Sequence, residues 1–106
     1  MPFVDTSQLP VIERLPGWHG RYFNSTNMTF AHYDFDAGAE IHEHHHEQEE
    51  VWHVLEGRLE ITIGGETCEA GPGWIGIIPK ATVHTVKALT AGKAIVVDYP
   101  LRRGFA

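Results

Sequence analysis

Hydrophobic and polar residues alternate with a period of two along much of the chain. Between residues 58 and 63, aliphatic side chains alternate with charged or polar ones, which is typical of a half-buried β-strand with one solvated face. The pair Gly64-Gly65 follows and predicts a two-residue hairpin turn before a return strand over residues 66–69.

Turn residues divide the rest of the chain into further short strands. Residues 28–35 are rich in aromatic and β-favouring side chains. Glu56-Gly57 predicts a chain reversal between a strand over residues 51–55 and the strand that begins at residue 58. Because turn signals recur about every 8–12 residues, the pattern indicates an all-β sandwich or barrel. No segment predicts a helix longer than two turns.

Length and charge restrict the classes of function. The 106 residues are expected to form one domain, residues 1–106, with a short N-terminal arm at about residues 1–17. The net charge is −6, and only Arg102-Arg103 places two basic residues side by side. Nucleic acid and anionic membrane surfaces are therefore not expected as partners.

Targeting signals and cysteine usage point to the cytoplasm. The longest apolar run is too short to span a bilayer, and the N-terminus lacks the basic and hydrophobic regions of a signal peptide. Cys68 is the single cysteine, so the chain has no intrachain disulfide. We interpret Cys68 as structural and expect a cytoplasmic protein.

A cluster of histidines and acidic residues carries the chemistry. Five histidines occur between residues 42 and 53. His44 and His46 are two apart, so on a strand both rings project to one face. Glu50 lies just beyond them, where the chain could bend its carboxylate back to the same point. Two imidazoles and a carboxylate that converge inside a fold are ligands for a divalent transition metal.

The spacing around this cluster resembles the first of two paired motifs of the cupin superfamily. That motif has a glycine, a His-x-His pair, a glutamate and a second glycine at set spacing. Its five positions are filled here by Gly38, His44, His46, Glu50 and Gly57.

The second cupin motif is matched less completely. Gly73, Pro79 and His84 fill its positions, while Ala81 stands where the family has glycine and Ala88 where it has asparagine. Alanine at position 81 makes the turn conformation that a glycine would permit there less favourable, but it does not affect the ligand His84. Together the motifs and their flanking strands cover about residues 28 to 99.

The resemblance implies a double-stranded β-helix (jelly-roll) cupin barrel with one metal ion inside it. The implied ligands are His44, His46, Glu50 and His84. These donors accept zinc, nickel, iron, manganese or copper, so the sequence does not select one metal. A shifted set of His42, His44 and Gln48 is an alternative, but counting back from Gly57 favours Glu50. His45 would then point to the opposite face.

Catalytic residues are harder to assign. Glu50 is a candidate general base if it leaves the metal, and His32 and Tyr99 are candidate cavity residues. The C-terminal segment from residue 98 to residue 105 is loosely similar to the tails of small cupins that act on unsaturated sugar acids. Those tails carry an acidic residue where this chain has Gly104.

These patterns lead to a functional expectation and an alternative. We expect a metal-dependent enzyme, of isomerase/lyase or dioxygenase type, acting on a small oxygen-rich acid or sugar-derived substrate. The alternative is a non-catalytic, metal-dependent module that binds or senses a small ligand. Large apolar groups on both faces of several strands predict a homodimer, with residues 18–23 as the exchanged or edge-pairing strand.

Overall fold

Ten β-strands form the framework of the protein in the computed structural model, which describes residues 2–105. Within that range the helical structure is limited to a 3₁₀ turn at Thr6–Gln8, as the sequence predicts. No helix of the described residues has the length and hydropathy to cross a membrane. The strands are β1 (Ile12–Leu15), β2 (Trp18–Asn24), β3 (Thr29–Phe35), β4 (Glu40–His44), β5 (Glu49–Glu56), β6 (Leu59–Ile63), β7 (Glu66–Ala70), β8 (Ile75–Ile78), β9 (His84–Ala88) and β10 (Gly92–Tyr99).

The strands pair into two antiparallel sheets that enclose a common core. The six-stranded sheet has the order β1-β2-β3-β10-β5-β8, and the four-stranded sheet has the order β4-β9-β6-β7. Several neighbours, such as β3 and β10, are far apart in sequence and pair residue by residue along their length. The all-β, jelly-roll prediction is therefore confirmed.

Alternation along the strands builds the core between the sheets. In β6, Leu59 and Ile61 are buried while Glu60 is exposed. In β5, Trp52 and Val54 are buried on the corresponding inner face of the other sheet. The predicted hairpin turn at Gly64-Gly65 joins β6 to β7, so the pattern of burial in this region follows the sequence pattern.

The predicted reversal at Glu56-Gly57 differs from a hairpin. β5 and β6 lie in different sheets, so the chain crosses from one sheet to the other at this point. Gly57 has φ 79°, and a Cβ atom there would collide with the carbonyl oxygen of Ala91. Glycine is required both by its positive φ and by the close approach of the neighbouring loop.

The N-terminal strands also differ from expectation. β2, which includes residues 18–23, pairs along its length with β3 and also pairs with β1, so it is not an edge strand of the sheet. The edge position is instead taken by β1, which lies inside the expected N-terminal arm and pairs with β2. The arm therefore extends the six-stranded sheet.

Candidate metal centre

Three histidines converge at one end of the barrel interior. His44 ends β4 and lies opposite His84, the first residue of β9, in the strand register. His46 follows in the loop between β4 and β5. Ligand atoms of the three rings all lie within 4.8 Å of one another, which is a spacing that could hold one metal ion.

A β-bulge selects the histidine of β4 that faces β9. From Ile41, paired with Val86, to His44, paired with His84, β4 advances three residues while β9 moves two. Without this extra residue, Glu43 and not His44 would lie opposite His84. The bulge thus aims the His44 ring at His84, with 4.2 Å between ring centroids.

Hydrogen bonds orient all three imidazoles in the same way. The Nδ1 atoms of His44, His46 and His84 lie 2.8, 3.1 and 2.8 Å from the backbone carbonyl oxygens of residues 42, 48 and 82. Because a carbonyl oxygen only accepts, each Nδ1 carries the proton and each Nε2 keeps a free lone pair. Metal-binding histidines are commonly held by such carbonyl bonds.

The free Nε2 atoms are buried beside Glu50. The Nε2 atoms of His46 and His84 have no hydrogen-bond partner among the described residues. Oxygens of the Glu50 carboxylate lie 3.3 Å from the first and 3.5 Å from the second. The contacts lack hydrogen-bond geometry, so the imidazole lone pairs and the carboxylate face one shared point that a cation would satisfy.

Glu50 is itself held firmly in place. It is 3% exposed, and Trp52 Nε1 donates to its Oε2 across 2.6 Å. Arg102 Nη1 donates to its Oε1 across 3.3 Å. Burial disfavours the charged carboxylate, but the polar groups around its oxygens outweigh burial and lower the pKa of Glu50 well below its ordinary value.

The histidine rings differ in their affinity for protons. Burial lowers the pKa of His44. Burial acts in the same direction on His84, but the Glu50 carboxylate outweighs it and raises the pKa of His84. Since a metal binds the unprotonated ring, a proton would compete with the ion at His84 more strongly than at His44.

Asp98 is a member of this cluster that the sequence analysis missed. It is 4% exposed and lies directly opposite Glu50 in the register of β10 and β5. Burial and the Glu50 carboxylate raise the pKa of Asp98 to about 8, although Arg102 Nη1 lies 3.7 Å from its Oδ2. Alternation along β10, where residues 94, 96 and 98 share the buried face, was the signal that could have identified it.

The cluster opens into a cavity of about 370 Å³. Its wall includes Trp18, Tyr33 and Trp52, with ring centroids between 5.5 and 5.9 Å apart. The side chains of Arg14 and Arg102 also line it, and their guanidinium groups lie over the Phe105 ring, at 4.6 and 4.1 Å from its centroid. The cavity therefore combines aromatic walls with two guanidinium groups.

The alternative ligands occupy other positions. His42 is exposed at the cavity, and Gln48 Nε2 donates to the carbonyl of Leu101 across 3.1 Å. His42 belongs to no group of closely spaced histidine, cysteine or carboxylate ligand atoms within residues 2–105. His45 is exposed.

His32 and Tyr99, expected as cavity residues, are placed differently by the structure. Neither lines the cavity. His32 contacts Phe23 from the other face of β3, and Tyr99 is 54% exposed. Strand alternation explains both placements. Residues 31 and 33 on β3 and residues 96 and 98 on β10 line the cavity, so residues 32 and 99 project from the other face of their strands.

The donor set fits a divalent transition ion. Three imidazole nitrogens with fixed tautomers suit zinc, iron, nickel, copper or manganese, and an ionised carboxylate reduces the charge of the bound ion. The orphaned, buried Nε2 atoms of His46 and His84 are the observation on which this fit rests. His44, His46 and His84, with Glu50 beside them, are the residues that could hold the ion.

Comparisons with known proteins agree with this architecture. The profile of the Cupin domain family matches residues 31–99. An uncharacterized protein of Streptomyces coelicolor is 28% identical over 83 residues, 78% of this chain and 79% of that protein. An RmlC-like cupin from Shewanella frigidimarina has a TM-score of 0.93 at 22% identity, covering 100% of this chain and 96% of that one. KdgF from Halomonas sp. has a TM-score of 0.90 at 22% identity, covering 100% and 99%.

Proposed function

The chain belongs to the Cupin domain family, and from that premise we propose that it is a metal-dependent enzyme acting on a small oxygen-rich acid or sugar-derived substrate. The reaction would be of isomerase/lyase or dioxygenase type. The proposed metal ligands are His44, His46, Glu50 and His84.

The orientation of the three imidazoles carries this proposal. Each Nδ1 is bonded to a backbone carbonyl, so each Nε2 lone pair is available at a common buried point. Histidines that served only the packing of a core would normally use both ring nitrogens in hydrogen bonds. Here the Nε2 atoms of His46 and His84 are left without such partners among the described residues.

The chain supplies the surroundings for chemistry on a small anion. A bound divalent ion would act as a Lewis acid toward substrate oxygens. Arg102 and Arg14 line the same cavity and would attract and orient a carboxylate or other anionic group. The aromatic wall formed by Trp18, Tyr33 and Trp52 limits access of water and strengthens these electrostatic interactions.

Proton transfer requires an ionisable group near the substrate. Glu50 is the proposed base if it leaves the metal, because a carboxylate can accept a proton from the substrate. Its bonds from Trp52 and Arg102 would hold its oxygens in position.

A non-catalytic binding module is the second candidate. The same guanidinium groups and aromatic walls would capture a small anion without converting it. The two functions differ in turnover, because both require the metal and the cavity but only an enzyme consumes the ligand.

We also propose that the protein acts as a homodimer in which a second copy covers the outer face of the six-stranded sheet. The face carries a row of apolar side chains that are adjacent in strand register: Phe30 on β3, Val97 on β10, Val51 on β5 and Ile77 on β8. Ile77 at the edge is 59% exposed. Burial of such a continuous row would favour association.

Metal analysis combined with activity screening tests the enzyme proposal. The purified protein is expected to hold close to one divalent ion per chain. A panel of small hydroxy, keto and sugar acids would be screened for isomerisation or elimination, and for oxygen consumption with iron or copper. Turnover that is lost in His84→Ala and kept in His45→Ala, an exposed control, would support the enzyme. Metal binding without turnover of any compound would favour the binding module, and absence of metal binding would contradict both.

A further inference from the structure

Asp98 and Glu50 form a pair of neighbouring buried carboxylates. They lie opposite each other on adjacent strands β10 and β5, and they are 4% and 3% exposed. The barrel interior thus holds two acidic groups side by side next to the histidines. Buried acidic groups are costly unless they are paired or coordinate a metal.

Distances connect Asp98 to the histidine cluster. Ligand atoms of His46, Glu50 and Asp98 all lie within 4.8 Å of one another. His46 also belongs to the group formed with His44 and His84. The two groups of potential ligands therefore have His46 in common. An ion next to His46 Nε2 would have the Asp98 carboxylate nearby.

One oxygen of Asp98 has no partner. Its Oδ1 is buried and makes no hydrogen bond among the described residues. Its Oδ2 lies 3.7 Å from Arg102 Nη1, which is nearer to Glu50 Oε1 at 3.3 Å. A single guanidinium is therefore shared between two carboxylates, and it leaves the inner oxygen of Asp98 unsatisfied. A buried oxygen of this kind is costly without a donor or a cation.

We propose that Asp98 supplies a second carboxylate oxygen to the metal ion held by His44, His46, Glu50 and His84. This inference rests on the metal centre of the proposed function. The metal ion would then be the missing partner of Asp98 Oδ1. Both buried carboxylates would contact this ion as well as Arg102.

A second carboxylate changes which metal the site prefers. Three imidazole nitrogens and two carboxylate oxygens form a harder donor set than three imidazoles and one carboxylate, and oxygen donors suit manganese and iron(II) better than copper or zinc. Five protein ligands also leave a six-coordinate ion one open position.

Metal titration of two variants with opposite expected effects tests the assignment. Asp98→Asn keeps the size of the side chain and removes its ability to ionise, and we expect the affinity for Mn²⁺ to fall about tenfold or more, with a smaller loss for Zn²⁺. Arg102→Met keeps both carboxylates and removes a cation from beside the ion, so the affinity for Mn²⁺ is expected to rise. Binding would be followed by calorimetry and by the electron paramagnetic resonance spectrum of bound Mn²⁺, which should change in Asp98→Asn.

Controls separate this inference from the metal centre itself. Asp36→Asn removes an exposed carboxylate and should leave both affinity and spectrum unchanged. If Asp98→Asn binds Mn²⁺ with the affinity and spectrum of the wild type, Asp98 is not a ligand. A wild-type protein that binds neither ion would instead overturn the proposed function.

Discussion

The backbone N–H of Ala81 donates a hydrogen bond to the carbonyl oxygen of His46, with 2.7 Å between the two atoms. Ala81 has φ 56°, a left-handed conformation that a Cβ atom disfavours. The bond links the loop before β9, which carries His84, to the loop that carries His46. Two candidate ligands from separate parts of the chain are thereby fixed relative to each other through a strained residue.

Replacement of Ala81 by glycine is expected to stabilise the protein. Glycine adopts a positive φ without steric cost, and the relief should exceed the entropy cost, for a net gain of up to about 1 kcal/mol. For a chain of this size that corresponds to a rise of roughly 4–8 °C in the melting temperature. Thermal unfolding followed by circular dichroism gives the value.

Ala37→Gly is the matched control for this substitution. Ala37 is exposed in a turn and does not have a positive φ. Glycine there gains no relief of strain and makes the unfolded chain more flexible, so Ala37→Gly should be neutral or destabilising. Equal effects of the two substitutions would show that the Ala81 backbone is not strained.

The hydrogen bond from Trp52 to Glu50 should contribute measurably to stability. Trp52→Phe removes the donor from a buried, charged acceptor, and hydrogen bonds to charged groups contribute about 1.5–3 kcal/mol. The substitution also reduces side-chain volume in the core. Chemical denaturation of the metal-free protein would give the total loss in the free energy of unfolding.

Trp18→Phe isolates the contribution of that hydrogen bond. Trp18 is as deeply buried as Trp52 and packs against it, but its Nε1 has no partner among the described residues. The volume lost is the same, and no hydrogen bond is broken. We expect Trp52→Phe to cost about 2 kcal/mol more than Trp18→Phe. A difference near zero would mean that Glu50 gains little from its indole donor.

Local patterns were sufficient to predict much of the fold. The alternation in β6 and the glycine pair after it predicted a hairpin, because both depend only on residues close in sequence. The crossing at Gly57 was not predictable in the same way. A positive-φ glycine reverses the chain whether the next strand joins the same sheet or the opposite one, and that choice depends on long-range pairing.

In the candidate site, too, some residues could be predicted from nearby sequence and others depend on long-range strand pairing. His44, His46 and Glu50 were found through their spacing within one segment. Asp98 was missed because its relation to Glu50 exists only through the pairing of β10 with β5. The pairing of His44 with His84 depends on a one-residue bulge in β4. The position of such a bulge cannot be predicted from the alternation of side chains alone.

Metal binding is expected to raise the thermal stability of the protein. An ion that binds only the folded state stabilises it by about 2.7 kcal/mol at a free concentration of 100 times the dissociation constant. Differential scanning fluorimetry with added Mn²⁺ or Zn²⁺, and then with excess chelator, would measure this gain and its reversal. His84→Ala should abolish the shift, whereas His45→Ala should retain it. A shift that persisted in His84→Ala would locate the ion elsewhere.

The exposed pair of His19 and Asp36 predicts a local pH dependence. His19 Nε2 lies 3.0 Å from Asp36 Oδ2, and this hydrogen bond raises the pKa of His19 above its ordinary value. A raised pKa means that the pair stabilises the fold fully below the ordinary pKa of 6.5, and that this contribution is lost as the pH rises through the pKa of the folded state. Nuclear magnetic resonance titration of the His19 ring would report that pKa.

Asp36→Asn should lower the pKa of His19 and remove this pH dependence. Glu69→Gln is a suitable control, since Glu69 is an exposed acid that pairs with Arg58. The control should leave the His19 titration unchanged. An unchanged titration in Asp36→Asn would mean that the pair does not persist in solution.

The apolar row on the outer sheet leads to a prediction about oligomeric state. Val51 and Val97 are adjacent in register, and Ile77 extends their row to the edge strand β8. A dimer that buries this row should depend on Ile77, because the side chain is largely exposed in the single chain and a charge there would have to be desolvated on association. Light scattering at micromolar concentration is expected to give the mass of a dimer for the wild type and of a monomer for Ile77→Lys.

Val83→Lys is the control, since Val83 is also exposed but lies in the loop before β9, and it should remain dimeric. A monomer mass for the wild type would contradict the dimer and leave the fold and the metal centre unaffected.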